Sequence, residues 1–196
     1  MRLYGDSRSG NCLKVKWLLD ALGRPYEWVE MNLAAGDTRT PEFLGINPWG
    51  QVSTAVLDDG RALTQSNALL LHFGEGSRFV PADPYDRAEM HAWMFWKQNS
   101  HEPFIAVRRY RLIYLRQTPG ELDPALLTRG YAALARLEAA VTEHPFLLGD
   151  QPTLADLALI AYTRVASEGG LDLEPYAAVR QWIGRVETTF YFTGTA

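Results

Sequence analysis

The chain has a single cysteine, Cys12, in 196 residues. No internal disulfide can form, so packing must hold the fold, and the thiol count suits a reducing cytoplasm. No run approaches the ~18 consecutive apolar residues of a membrane span. Basic residues do not dominate: 19 Lys and Arg face 23 Asp and Glu, a net charge of −4. That balance argues against a general nucleic-acid binder. The four histidines, His72, His91, His101 and His144, are scattered without metal-ligand spacing. There is no serine-hydrolase motif, no phosphate-binding glycine loop, and no second histidine to complete a metalloprotease site at His101-Glu102. The first residues lack the charged-then-apolar pattern of a secretory leader. Neither an internal repeat nor a low-complexity segment is found.

What is present falls into two halves. A strand at Arg2-Leu3-Tyr4 precedes an amphipathic helix over 11–22, stopped by Gly23. Tyr26 to Met31 reads as a second strand, and Pro41 suits the first turn of a short helix across Glu42–Leu44. Val52 to Leu57 is a third strand, which Asp58-Asp59-Gly60 turns back into Arg61-Ala62-Leu63. Ser66 is a natural N-cap for the helix that follows. The order β-α-β-α-β-β-α predicts a small mixed sheet with helices on its faces.

Prolines at Pro81 and Pro84 interrupt this pattern and mark a linker. Beyond it every pattern is helical. A long helix runs from Tyr85 to Leu115 with Pro103 as its kink. Others run from Pro124 to Val141, from Thr153, and from Pro175 to Val186. Thr153-Leu154-Ala155-Asp156 is a carboxylate form of the capping box. The expected domains are therefore residues 1–79, a linker at 80–85, and an all-helical domain over 86–196.

Four places could carry chemistry. Ser9 and Cys12 open a helix, where backbone N–H groups favour an anion such as a thiolate. Ser9 either caps that helix or donates to a bound thiol and so lowers its pKa. Cys12 is a small buried residue or a nucleophile. Gln65-Ser66 stands at another helix start, able to hold a carboxylate or simply to cap. Asn47-Pro48-Trp49-Gly50-Gln51-Val52 leads to a strand edge that could pair with an extended peptide. The cluster Trp93, Phe95 and Trp96 reads as packing, or as the wall of a hydrophobic substrate site. Arg108, Arg109 and Arg111 read as a solvated helix face.

Together these pieces resemble a bacterial soluble glutathione transferase of the serine type, theta- or zeta-like. The resemblance rests on Leu3-Tyr4 through Ser9-Gly10-Asn11-Cys12, on Asn47 to Val52, and on Asp58-Asp59-Gly60 with Leu63 to Ala68. It also rests on Phe146-Leu147-Leu148-Gly149-Asp150-Gln151-Pro152-Thr153-Leu154-Ala155-Asp156. It implies a thioredoxin-like α/β N-terminal domain followed by an all-α domain. By the resemblance, Ser9 stabilises the glutathione thiolate and the Val52 backbone pairs with the cysteinyl part. Gln65 and Ser66 bind the γ-glutamyl group, and Gln51 sits near the glycyl end. A small hydrophobic electrophile lies against Trp93, Trp96, His101 and Phe104. The implied protein is a cytoplasmic homodimer acting in detoxification, with glutathione as cosubstrate, no metal, and neither nucleic acid nor membrane as partner.

Two departures stand out. The family carries a proline directly after this valine, with a cis bond before it; here the residue is Ser53. A cis bond costs ~2.5–4 kcal/mol before a non-proline residue, against ~0.5–1 before proline. That difference predicts a trans Val52–Ser53 bond and a distorted or weakened glutathione site. The tail Thr188-Thr189-Phe190-Tyr191-Phe192-Thr193 is β-branched and aromatic where the family often has a proline-glycine turn. It could cover the site, dock at an interface, or be disordered. Two other functions stay open on these residues: a non-catalytic binding or scaffold protein on the same fold, and a thiol-disulfide oxidoreductase using Cys12.

Overall fold

A computed structural model describes residues 1–190, and the tail from Tyr191 lies outside the described residues. The chain divides into two compact units, Met1–Ser77 and Arg78–Thr189.

The first unit is built on a four-stranded mixed sheet of order β2-β1-β3-β4. Strand β1 (Arg2–Gly5) runs parallel to β2 (Glu27–Glu30) and antiparallel to β3 (Thr54–Val56), with Tyr4 opposite Thr54. Strand β4 (Ala62–Thr64) completes a hairpin with β3. The third strand is shorter than its hydrophobic run because residues 51–53 leave the ladder. Helix α1 (Gly10–Ala21) ends at a left-handed Gly23, φ 62°. There the Gly23 N–H donates to Asp20 O and the Arg24 N–H to Leu19 O. This is a Schellman ending, which a glycine accommodates without strain. Helix α2 (Pro41–Ile46) has Pro41 in its first turn, and Thr40 caps it by accepting from the Phe43 N–H.

Helix α3 (Ser66–Gly74) begins one residue earlier than expected. Ser66 is its first residue, not its N-cap. Gln65 occupies the cap position at φ 69° and makes no side-chain cap bond. A residue held at that φ ends the strand and starts the helix in one step, which displaces Ser66 inward. Leu3, Val15, Leu18, Leu19, Ala55, Leu69 and Leu70 are fully buried. On the other face of the sheet, Tyr4, Met31 and Phe43 form a smaller apolar cluster, to which Val52 adds its side chain.

The second unit is helical, as the sequence predicts. Helix α4 (Pro84–Trp96) is capped by the Asp83 carboxylate, which accepts from the Tyr85 and Asp86 N–H groups. A π turn at Lys97–His101 joins it to α5 (Glu102–Ile113). Pro103 lacks an N–H and its ring would meet the carbonyl four residues back, so the chain widens by a residue before it. Helix α6 (Pro124–Thr142) buries Gly130, Ala133, Leu134, Leu137 and Val141 along one stripe. All of α7 (Leu154–Thr163) is buried, and α8 (Ala177–Phe190) buries Val179, Trp182 and Val186 at helical spacing.

At the head of α7 the Asp156 carboxylate joins three parts of the unit. One oxygen accepts from the Leu147 N–H at 3.0 Å and from the Trp182 indole at 2.8 Å. The other accepts from the Thr153 N–H at 2.8 Å and its hydroxyl at 3.0 Å.

Candidate active site

Ser9 holds the N-cap position of α1 in extended conformation, φ −88°, ψ 115°, yet its side chain makes no cap bond. Its carbonyl accepts from the Cys12 and Leu13 N–H groups instead. Its hydroxyl and that of Ser53 lie near enough to the Cys12 thiol to act on its pKa. Cys12 itself is fully buried. Burial pushes its thiol pKa up, against the lowering effect of the hydrogen bonds from Ser9, the Asp6 main chain and Ser53. A neutral, enclosed thiol is a packing residue, not an attacking one.

The Val52–Ser53 bond is cis, which corrects the trans bond expected from the general cost of the cis form. That cost describes an unconstrained dipeptide. Here both ends of the segment are tied down. The Ser53 hydroxyl donates to Asn11 O at 2.8 Å. Asn47, 1% exposed, donates to Gln51 O at 2.7 Å and to the Thr54 hydroxyl at 3.0 Å. The Thr54 hydroxyl donates in turn to Gln51 O at 2.9 Å. Sequence marks Asn47 only as the head of the run to Val52 and does not single out Thr54, because each acts only through a neighbouring part of the chain. The Val52 N–H and C=O make no hydrogen bond among the described residues.

Gln51 and Gln65 meet: the Gln65 side-chain amide donates to the Gln51 side-chain oxygen at 3.2 Å. Beside Gln65, the first turn of α3 has no side-chain cap. Its backbone N–H groups and the Ser66 hydroxyl face an anion-favouring helix end. Lys14, buried in α1, donates to Asn67 Oδ1 in that same turn at 2.6 Å. This contact joins the helix that starts at Ser9 to the one that starts at Ser66. Gln51 and Gln65 are joined directly, and Ser53 ties the Val52 segment to α1 at Asn11, two residues after Ser9.

The residues expected around an electrophile lie in the second unit and divide. Trp93 and Trp96 are half-buried and meet edge to face at 5.3 Å. The Arg136 guanidinium lies 5.4 Å from one ring centre and 5.5 Å from the other. Phe104 is half-buried under Arg129, 5.3 Å away. His101 is fully buried, with Nε2 2.9 Å from the Thr163 hydroxyl. That hydroxyl donates to Leu159 O. His101 must therefore donate through Nε2–H, which sets its tautomer and makes it a tie between the π turn and α7. Phe95 is 64% exposed and takes no part in the core that the Trp93 cluster suggested.

Among the described residues no helix is long and apolar enough to cross a membrane. None of their His, Cys, Asp and Glu side chains form a group of three suited to a metal ion.

The N-terminal domain model of glutathione S-transferases matches residues 1–75, and the C-terminal domain model matches residues 123–185. The chain is 42% identical to a solved glutathione S-transferase from Pseudomonas fluorescens, TM-score 0.91, over 95% of this chain and 94% of that one. It is 44% identical to one from Xanthobacter autotrophicus, TM-score 0.90, over 100% and 95%. A maleylacetoacetate isomerase from Methylobacterium extorquens, solved with malonate and glutathione bound, is 27% identical, TM-score 0.82, over 97% and 94%. Protein URE2 of Candida glabrata is a curated relative, 27% identical over 92% of this chain but only 62% of its own length. The thioredoxin-like unit, the helical unit and these matches lead to one conclusion: the chain belongs to the glutathione S-transferase family.

Proposed function

We propose that this chain is a bacterial, serine-type glutathione transferase, theta- or zeta-like, that conjugates glutathione to small hydrophobic electrophiles. The observation that carries the reading is a row of polar groups in the first unit that make no cap or ladder bond among the described residues. The Ser9 hydroxyl makes no bond to its own helix. Among the described residues the Val52 main chain has no hydrogen-bond partner, and α3 starts without a side-chain cap. An extended γ-glutamyl tripeptide matches that row group for group. Ser9 donates to the thiolate and so favours its charged form. Val52 pairs with the cysteinyl unit in the manner of strand addition. Gln65, Ser66 and the first turn of α3 hold the γ-glutamyl end, and Gln51, released from its 3.2 Å contact with Gln65, turns toward the glycyl end. Attack by the thiolate on a soft electrophilic carbon then depends mainly on positioning. Trp93, Trp96 and Phe104 supply the apolar wall, with His101 fixed behind them. The bound glutathione of the Methylobacterium relative supports the cosubstrate.

The Ser9→Ala enzyme is expected to lose on the order of 10²-fold in kcat toward 1-chloro-2,4-dinitrobenzene, as for one lost anion-stabilising donor. Undiminished conjugation by that variant would remove Ser9 from the mechanism. A calorimetric titration with glutathione tests the site as a whole, and absence of binding would overturn the proposal.

The likeness to Transcriptional regulator URE2 of Saccharomyces cerevisiae favours a second reading, a non-catalytic binding protein on the same fold. It predicts glutathione binding without conjugation. The family resemblance also supports a cytoplasmic homodimer with a detoxifying role, and a clean monomer in sedimentation would count against the dimer.

A further inference from the structure

We propose that the helical unit carries a carboxylate site centred on Arg108, with Arg111 and Arg129 beside it. Resting on the transferase reading, it makes the electrophile an aromatic acid rather than a neutral apolar molecule. Phe104, Arg108 and Arg111 stand at i, i+4 and i+7 on α5, so they share one helical face. That face continues the one assigned to the electrophile.

Arg108 is only 6% exposed. Its Nε donates to Gly169 O at 2.6 Å, at the end of the 3-10 turn Ala166–Gly169. This is the only hydrogen bond its side chain makes with the described residues. Both terminal amino groups, with four N–H donors, have no acceptor there. The guanidinium stays charged, and its amino groups are not among the fully enclosed unpartnered atoms of the described residues. Its neighbours are treated differently. Arg109 pairs with Glu168 at 2.7 Å, and Arg164 with Glu187 at 2.7 Å. Among the described residues no carboxylate pairs with Arg108, Arg111 or Arg129.

The paired amino groups have a way out. Gly170 is exposed, and a Cβ there would stand 3.6 Å from Arg108 Nη2. The missing side chain leaves that edge of the guanidinium uncovered. On the same face, Arg129 covers the Phe104 ring from α6, placing a second positive charge one helical turn from Arg108. A planar carboxylate matches the two parallel N–H donors of a guanidinium edge, and an attached ring would continue onto Phe104.

The test compares two electrophiles that differ by a carboxylate, 1-chloro-2,4-dinitrobenzene and 4-chloro-3-nitrobenzoate. In Arg108→Gln, the ratio of kcat/KM for the acid over the neutral compound is expected to fall about tenfold relative to wild type. A ratio unchanged in the folded variant would overturn the site, because a guanidinium that only ties down the Gly169 turn would not discriminate the two. Direct calorimetric binding of 4-nitrobenzoate, without glutathione, separates this from a failure of the transferase reading. Wild type is expected to bind it at least tenfold more tightly than Arg108→Gln, with affinity falling as salt rises. Equal affinities would refute the proposal even in an enzyme that conjugates nothing. If Arg108→Gln does not fold, the double variant Arg111→Gln/Arg129→Gln replaces it. It should lower the acid-to-neutral ratio and the 4-nitrobenzoate affinity about threefold, and no change in either would overturn the site.

Discussion

Replacing Asp156 with alanine should unfold the helical unit far more readily than any change on its surface. The carboxylate is fully buried and accepts four hydrogen bonds, from the Leu147 and Thr153 N–H groups, the Thr153 hydroxyl and the Trp182 indole. The Thr153 hydroxyl can turn elsewhere, so alanine orphans three buried donors. Each costs about 1–3 kcal/mol, and partial relaxation brings the sum to about 3–5 kcal/mol. That is a large share of the ~5–15 kcal/mol of a typical domain. Asp156→Asn should cost about half as much. Its one oxygen can serve Leu147 and Trp182, but its amide meets the Thr153 N–H donor to donor. Urea unfolding followed by tryptophan fluorescence measures both. A loss below about 1 kcal/mol for the alanine variant would refute the reasoning, since no network of this kind could then be holding the unit. The pH dependence has a definite sign. Burial raises the Asp156 pKa, outweighing the hydrogen bonds that lower it. A carboxyl raised in the folded state contributes stability fully present below its unfolded value near ~3.9, and lost as pH rises through its folded value. The stability gap between wild type and Asp156→Asn should therefore narrow from acid to neutral pH. A gap that widened instead would reverse the sign of the shift.

Three further outcomes follow from the first unit. Cys12 should resist a disulfide reagent in the native protein and react on the order of 10²-fold faster in urea, because it is buried with a raised pKa. Fast native labelling would restore the thiol-disulfide function. Lys14→Met should fold with a change of under ~1.5 kcal/mol, because an apolar side chain of similar length replaces a buried ammonium. Asn67→Leu should cost more, ~1.5–3 kcal/mol, since it takes the Asn67 Oδ1 acceptor away from a buried charge; reversed costs in thermal unfolding would contradict the assignment. Gln65→Gly should gain up to about 1 kcal/mol by relieving the φ of 69°, while calorimetry shows weaker glutathione binding. Unchanged affinity would remove Gln65 from the γ-glutamyl site.

Much of the candidate site was legible because its signals are local. Ser9 before an apolar helix, Gln65-Ser66 before another, and Thr153 three residues ahead of Asp156 each announce a helix start within one turn of chain. The errors share a cause as well. Serine usually caps, which points to Ser66, but Gln65 at positive φ takes that place. The Val52–Ser53 bond was expected trans from dipeptide energetics, which know nothing of Asn11, Asn47 or Thr54. Trp93 and Trp96 were legible as an aromatic pair, while their clasp on Arg136 depends on a helix 40 residues later.

Sequence by itself determined which segments are strands and helices, where most of them stop, and that a mixed sheet precedes a helical domain. These follow from hydrophobic period, turn residues and caps, whose physics acts within a few residues. Only the tertiary structure decided which polar side chains are spent and which are left over. It set Ser9 near Cys12, enclosed His101 against Thr163, gave Asp156 its Trp182 partner, and left Arg108 with one acceptor among the described residues. Hydrogen-bond satisfaction in a packed interior is a contest among groups distant in sequence, and only the folded chain shows which of them meet.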